Sequence, residues 1–493
     1  MDPLRLAPPP ALVTGPPSTP ASGWPVLAAG TGPRALILVL ALVLTLVQLL
    51  GCQRLPELVP PRPGQGQQAL GGALPAMEDS RGQVAPQAAQ ALLACRMGPG
   101  RNDLQDRAAL EEAATGRPLL AGNRVTLLFD GPQTMAAMSA AVSAARSSIH
   151  LETYIFDADP LGQAFADLLI AKQREGVQVH ILYDAVGTLG TPAAFFTRMA
   201  DAGIQLCAFH PVNPLRRLGR WRINHRDHRK ILVVDGRIGF TGGANISSSY
   251  RHGSLFRRKA GPVTSLGWRD THLRLEGPAV AALQWLFVDT WNSQDPRRLD
   301  QASDFPPGRD AGDQIVRVVG SQPGSDFEIY RAYVLAMEQA TRSIHLTSAY
   351  FVPDAQIVKA LTAAAGRGVE VQILLTTVTD SSLVQHASQS HYQELLDSGV
   401  RLYLLNRSVL HAKTAVIDGT WSTVGSTNLD LRSFLHNREV NVIVLGDTFG
   451  REMEAAFQED LRNATELDPA IWRQRPRSDH LKEWAARLLS YWL

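Results

Sequence analysis

The sequence predicts an α/β fold made by tandem duplication, each unit a mostly parallel β-sheet flanked by helices. Three observations predict it. His228-Arg-Lys230-Ile-Leu-Val-Val-Asp235 is followed after six residues by Gly242-Gly243-Ala-Asn245, and the arrangement returns as His411-Ala-Lys413-Thr-Ala-Val-Ile-Asp418 and, six residues on, Gly425-Ser426-Thr-Asn428. Upstream of each, Ser148-Ile-His-Leu151 leads into Glu-Thr-Tyr154-Ile-Phe156, and Ser343-Ile-His-Leu346 into Thr-Ser-Ala-Tyr350-Phe351. Between them Gly176-Val-Gln-Val-His-Ile-Leu182 matches Gly368-Val-Glu-Val-Gln-Ile-Leu374, and each of these follows an alanine-rich helical stretch, 160–174 and 355–366. Self-similarity with alternating strand and helix patterns marks a repeated α/β unit.

The chain order follows from these repeats. At 493 residues the chain exceeds the ~100–200 residues of one domain, and it divides into a first unit over 91–300, a linker over 301–315 and a second unit over 316–465. Residues 1–33 are rich in Pro, Ala and Gly without apolar periodicity and are expected to be disordered. The segment 34–52 holds an uncharged apolar run from Ala35 to Gly51, at the lower edge of a membrane-spanning length. It ends Leu49-Leu50-Gly51-Cys52, which is similar to a bacterial lipobox, so the run is expected to be a membrane anchor, by a helix or through a lipidated Cys52. Basic flanks are too sparse to choose an orientation. The Pro/Gly/Gln-rich stretch 53–90 reads as a tether with no compact fold of its own.

Composition excludes some classes. Forty-eight basic against 46 acidic residues give a net charge of +2, which argues against a nucleic-acid binder whose affinity rests on phosphate neutralisation. Cys52, Cys95 and Cys207 are too few and scattered for a disulfide framework or a cysteine zinc site. Neither a metal nor a cofactor is implied.

The motifs carry the chemistry. Each histidine falls at the start of a β-branched run, Ile231–Val234 or Thr414–Ile417, that ends in the turn dipeptide Asp235-Gly236 or Asp418-Gly419. Period-2 alternation projects His228 with Lys230, and His411 with Lys413, from one face of each strand. Lysine is a point charge and donor rather than a metal ligand, so a His-Lys-Asn cluster favours direct recognition of phosphate oxygens. Gly243 and Ser426 let backbone approach that anion, and Asn245 and Asn428 offer amide donors. Two such clusters around one phosphate give a neutral imidazole to attack phosphorus and a protonated one to serve the leaving alkoxide. Each imidazole needs an orienting carboxylate, and the candidates are Asp270, in Trp268-Arg-Asp270-Thr-His272, for His228 and Glu439, in Asn437-Arg-Glu439-Val, for His411. Asp235 and Asp418 complete the repeated catalytic motif. Lying a full strand beyond their histidines, they read as holding the strand-to-turn geometry. His150, His180 and His345 lie in apolar runs and read as core histidines. The arginines 216, 217, 220, 222, 226 and 229, and the basic insertion 251–259, read as solvated loops or as contacts for anionic lipid.

These motifs resemble those of the phospholipase D superfamily, whose mark is two H-x-K-x4-D elements each followed by Gly-[Gly/Ser]-x-Asn. More narrowly, Asn224-His-Arg-Asp-His-Arg-Lys230, Phe240-Thr-Gly-Gly-Ala-Asn245, Trp268-Arg-Asp270-Thr-His272, Thr347-Ser-Ala-Tyr-Phe-Val-Pro353, Leu410-His-Ala-Lys413 and Gly425-Ser-Thr-Asn-Leu-Asp-Leu-Arg-Ser433 are similar to the bacterial cardiolipin synthases. The resemblance implies tandem phospholipase D-like domains with the active site between the halves. It also implies His228 as nucleophile forming a phosphohistidine, His411 as general acid/base, and Lys230, Lys413, Asn245 and Asn428 on the phosphate. The implied reaction joins two phosphatidylglycerol molecules at a membrane and releases glycerol. Hydrolysis to phosphatidic acid and a nuclease-type phosphodiesterase share the chemistry and stay open, as do the oligomeric state and the side of the membrane. The sequence departs from the family at Gly243, where many relatives have Ser.

The segment 466–493 ends in an amphipathic pattern, with Leu481, Trp484, Leu488 and Trp492 along one helical face. Packing on the core and lying in a lipid interface are equally compatible with it.

Overall fold

The computed structural model describes residues 54–61, 63, 70, 74–97, 103–211, 224–248, 268–299, 305–325, 327–377, 381–406 and 408–492. Residues 1–33, the apolar run with Cys52, Arg216 to Arg222 and the 251–259 insertion lie outside them. From Arg54 onward the chain is one compact unit.

The first half contributes β1 (Leu119–Phe129), β2 (Ser148–Thr153), β3 (Gln178–Asp184), β4 (Gln205–Phe209), β5 (Ile231–Val234), β6 (Ile238–Gly242) and β7 (Thr271–Glu276). The second contributes β8 (Gln314–Ser321), β9 (Ser343–Ser348), β10 (Glu370–Thr376), β11 (Arg401–Leu405), β12 (Lys413–Ile417), β13 (Trp421–Gly425) and β14 (Asn437–Leu445). Spatial order is 4-3-2-5-6-7-1 in one half and 11-10-9-12-13-14-8 in the other. The duplication is therefore complete at the level of topology. Antiparallel pairing of β1 with β8 then joins the two into one continuous sheet.

The sheet is mixed rather than mostly parallel. Among these strands, the parallel runs are β2–β3–β4 and β9–β10–β11, with the expected helices Pro160–Arg174 and Ala355–Gly366 crossing from β2 to β3 and from β9 to β10. The strands bearing the motifs are hairpins, and hairpins are antiparallel. Their turns need left-handed backbone, which Asp-Gly supplies: φ is 53° and 60° at Asp235 and Gly236, 55° and 65° at Asp418 and Gly419.

Both faces of the sheet are covered, so alternate residues of one strand enter different cores. Leu232 and Val234 join the first half's outer core, while Ile231 and Val233 join a cluster on the opposite face. That second cluster crosses the halves, packing Val125, Leu273 and Val316 with Val424, Val440 and Val442 beneath helices Ala279–Gln294 and Asp447–Arg462. Fully burying each such side chain is worth about 1.5–3 kcal/mol, so the halves are held together by core as well as by backbone pairing.

Two boundaries differ from the sequence reading. The 53–90 stretch is not simply a tether: Leu55 and Leu58 pack on the second half's core, and Met77–Asp79 pairs with the start of β1. Helix Pro86–Met97, which straddles the expected tether and first unit, and helix Asp103–Thr115, assigned by position to the first unit, instead place Ala89, Leu93 and Ala108 against Tyr330, Tyr333 and Met337 of the second. Buried ion pairs Arg317–Glu111 (2.6 Å) and Arg107–Asp418 (2.7 Å) tie the second of these helices there. The C-terminal segment is two helices, Pro469–Arg473 and Arg477–Arg487, separated at Pro476.

Candidate active site

Short strands outside the repeat build the site. Arg226–Asp227, just before His228, pairs in parallel with Asn437–Arg438 at the start of β14. Val409–Leu410, just before His411, pairs in parallel with Trp268–Arg269, just before β7. These two crossings continue into the motifs, with the His228 amide donating to the Arg438 carbonyl at 2.9 Å and the His411 amide to the Arg269 carbonyl at 2.8 Å. Parallel register then sets each histidine beside the acid that follows in the other half.

The orienting carboxylates are accordingly exchanged relative to the sequence expectation. His228 Nδ1 lies 3.0 and 3.1 Å from the two oxygens of Glu439, and His411 Nδ1 lies 2.8 Å from Asp270 Oδ2. The sequence reading paired each histidine with an acid of the same half; the crossed strands deliver the acid of the opposite one. With Nδ1 bound to a carboxylate, each ring is fixed in orientation and tautomer, and Nε2 is the nitrogen left for chemistry.

Electrostatics show that the motifs share one space. Burial pushes the His228 imidazole well below its ordinary value, and the ammonium groups of both Lys230 and Lys413 push the same way. Burial lowers His411 to about 4, again with both lysines contributing. The lysines are themselves lowered, Lys230 to about 7 and Lys413 to about 8, first by burial. Each curls back onto its own motif histidine's carbonyl, Lys230 Nζ at 2.6 Å from His228 O and Lys413 Nζ on His411 O.

The two acids diverge. Burial raises Glu439 to about 7, against the opposing pull of Lys230 and hydrogen bonds from Ser426 and Asn437. Burial would raise Asp270 too, but His411, Lys413 and the Thr271 amide outweigh it and hold the carboxyl at about 2. The residues behind the acids differ in step. Ser426 Oγ donates to Glu439 Oε2 at 2.5 Å, whereas a Cβ on Gly243 would lie 2.0 Å from Asp270 Oδ1. Gly243 is thus the space that Asp270 occupies.

Other expected residues fall as follows. Asn245 and Asn428 are buried; Asn245 Oδ1 accepts the Ile155 amide at 3.3 Å, and Asn428 Oδ1 has no hydrogen-bond partner among the described residues. A buried amide oxygen left so is costly unless a ligand group completes it. Asp235 and Asp418 stand at the far ends of the motif strands. Asp235 accepts the amides of Arg146, Ser147 and Ser148 leading into β2, and Asp418 those of Thr341, Arg342 and Ser343 leading into β9. His150, His180 and His345 are buried in the cores. Arg226 and Arg229 are neither solvated nor lipid-facing. They are buried, Arg226 against Asp184 and Arg229 on the carbonyls of Glu439 and Ser321.

Sequence reasoning missed the aromatic walls. Tyr154 stands edge-on to His228 at 5.0 Å between ring centres, with Lys230 Nζ 5.4 Å from the same ring, and Trp268 lies 5.3 Å from His411. Tyr154 ends the repeated β2 segment, and that position was its only signal.

The chain is similar to known proteins. A family profile described as "Cardiolipin synthase, PLD-like domain" matches residues 138–253 and 333–461, one stretch in each half. A cardiolipin synthase of Listeria monocytogenes is 35% identical over 379 residues, 76% of this chain and 76% of that one. The chain belongs to the cardiolipin synthase family of the phospholipase D superfamily. Another relative, a probable cardiolipin synthase of Bacillus subtilis, is 36% identical over 369 residues, 75% of this chain and 72% of that one. The crystal structure of a phosphatidylserine synthase from Haemophilus influenzae superposes with a TM-score of 0.60 at 15% identity, covering 78% of this chain and all of the other. That likeness shows the fold. Membership of the family makes the chain an enzyme of phospholipid metabolism with the tandem duplicated fold.

Proposed function

We propose that the chain is a phosphatidyltransferase that makes cardiolipin from two molecules of phosphatidylglycerol. The observation that carries this is the pair of imidazoles, each held through Nδ1 by a buried carboxylate of the opposite half. Neutral His228 attacks the phosphodiester phosphorus through Nε2. The bond to the glycerol headgroup breaks, and the departing alkoxide takes a proton from His411. The terminal hydroxyl of a second phosphatidylglycerol then gives its proton to His411 and attacks the phosphohistidine, breaking the P–N bond. His411 suits the acid role because Asp270, held at about 2, stays ionised and stabilises the imidazolium. The entering phosphate anion raises its proton affinity. Lys230, Lys413, Asn245 and Asn428 face the non-bridging oxygens, while Asp235 and Asp418 act only by holding the motif strands.

The test is purified enzyme with phosphatidylglycerol in detergent. Cardiolipin and glycerol in equal amounts are expected; phosphatidic acid with glycerol and no cardiolipin would make the protein a hydrolase. Cleavage of single-stranded DNA at a comparable rate would favour the nuclease chemistry of the same superfamily. Wild-type turnover by a His228→Ala protein would contradict the assignment altogether.

A further inference from the structure

The helix Arg477–Arg487 has two unlike faces. Glu483 and Ala486 are buried, Ala486 packing with Val352 and Ala387, and Glu483 paired with Arg475 at 2.9 Å. The inner face is thus settled against the second half. On the outer face Leu481, Trp484 and Leu488 are 66%, 60% and 48% exposed, continued by Trp492 at 44%, while Ile471 on the preceding short helix is 71% exposed. Single exposed apolar residues are ordinary, but five on the last two helices and their terminal turn are a feature that requires an occupant.

Charge and position choose the occupant. Residues 471–492 carry Arg473, Arg475, Arg477, Lys482 and Arg487 against only Asp479 and Glu483, a surplus of three where the whole chain has two. The segment also abuts the site: the Tyr491 ring meets His436 edge-on at 5.0 Å, and the His436 carbonyl accepts the amide of Arg226, two residues before His228. Exposed tryptophans and leucines among basic residues suit the boundary between acyl chains and anionic headgroups.

We propose that this C-terminal ridge docks on a bilayer containing anionic lipid and holds the cleft against the surface that supplies its substrate. The proposal rests on the phospholipid reading above. Trp484 and Trp492 lie at the headgroup level, Leu481 and Leu488 enter the acyl boundary, and Arg477, Lys482 and Arg487 meet headgroup phosphates. The contact is independent of the apolar run before Cys52.

The compact unit begins at Arg54 and contains every described core cluster, so the test uses protein starting there. Sedimentation with vesicles of mixed phosphatidylglycerol and phosphatidylcholine is compared for the wild type, Trp484→Ala/Trp492→Ala and Leu481→Ser/Leu488→Ser. Both double variants should bind at least about tenfold more weakly, a loss of ~1.4 kcal/mol, with unchanged melting. Their turnover of vesicle lipid should fall while turnover of short-chain phosphatidylglycerol, dissolved below its micelle concentration, stays within about twofold. Undiminished vesicle binding overturns the proposal, as does an equal loss on dissolved lipid. Self-association that the variants abolish while vesicle binding persists assigns the ridge to a second copy instead. If the wild type turns over neither lipid, the functional reading fails and sedimentation alone decides the docking.

Discussion

Glu439 Oε1 lies 3.0 Å from His228 Nδ1 although 211 residues separate the two in the chain. Glu439→Gln keeps the shape and removes the charge, and an amide nitrogen facing Nδ1 selects the wrong tautomer. We expect kcat to fall about 10²–10⁴-fold with KM changed less than about threefold. Steady-state kinetics of cardiolipin formation check this; near-normal kcat would deny Glu439 its orienting role.

Gly243 gives a second prediction, because any side chain there collides with Asp270. Gly243→Ala should displace the carboxyl from His411 and lower kcat by about 10²-fold or more, while the melting temperature moves little. Ser426→Ala, at the equivalent position, deletes one hydrogen bond to Glu439 without a collision and should cost only about tenfold. The ordering of the two variants is the measurement that matters.

The lysines set the alkaline limb. Lys230 and Lys413, lowered to about 7 and about 8, carry their charge below those values and lose it above them. Because the charged forms hold the phosphate, kcat/KM should decline as pH rises through 7 to 8, with a slope approaching two on a logarithmic plot. Lys413→Arg keeps its charge throughout and should reduce that slope to one. A flat profile from pH 6 to 9 would contradict the role of both ammonium groups.

Asp418 and Asp235 predict losses of stability rather than chemistry. Asp418→Asn removes the carboxylate that buried Arg107 pairs with and should cost ~3–5 kcal/mol. Asp235, partly exposed and bound mainly to amides, should cost ~1 kcal/mol when changed to Asn. Urea midpoints measure both, and kcat per folded molecule should stay within about threefold of wild type.

Much of this arrangement was legible in the chain. The paired histidines, lysines and asparagines announce themselves because a duplicated motif repeats spacing as well as residue type. The outer strands β2 and β3, with their counterparts β9 and β10, were legible for the same reason. The exchange of Asp270 and Glu439 was not, since it depends on Arg226–Asp227 and Val409–Leu410, strands of two residues that are too short to leave a periodic pattern. Nor was the packing of Pro86–Met97 and Asp103–Thr115 on the second half. Apolar spacing tells a helix which face to bury but not which neighbour will cover it.

The exchanged carboxylates bear on what duplication made available. Two identical chains meeting about a twofold axis would have to present the same acid to both histidines, because one gene would write both. Fused into a single chain, the two positions are free to drift apart. One has become an aspartate cushioned by a glycine and the other a glutamate tethered to a serine. The site has a handedness, the carboxyl beside His411 held at about 2 and the one beside His228 raised to about 7, so that one side is suited to holding a proton while the other is suited to attack.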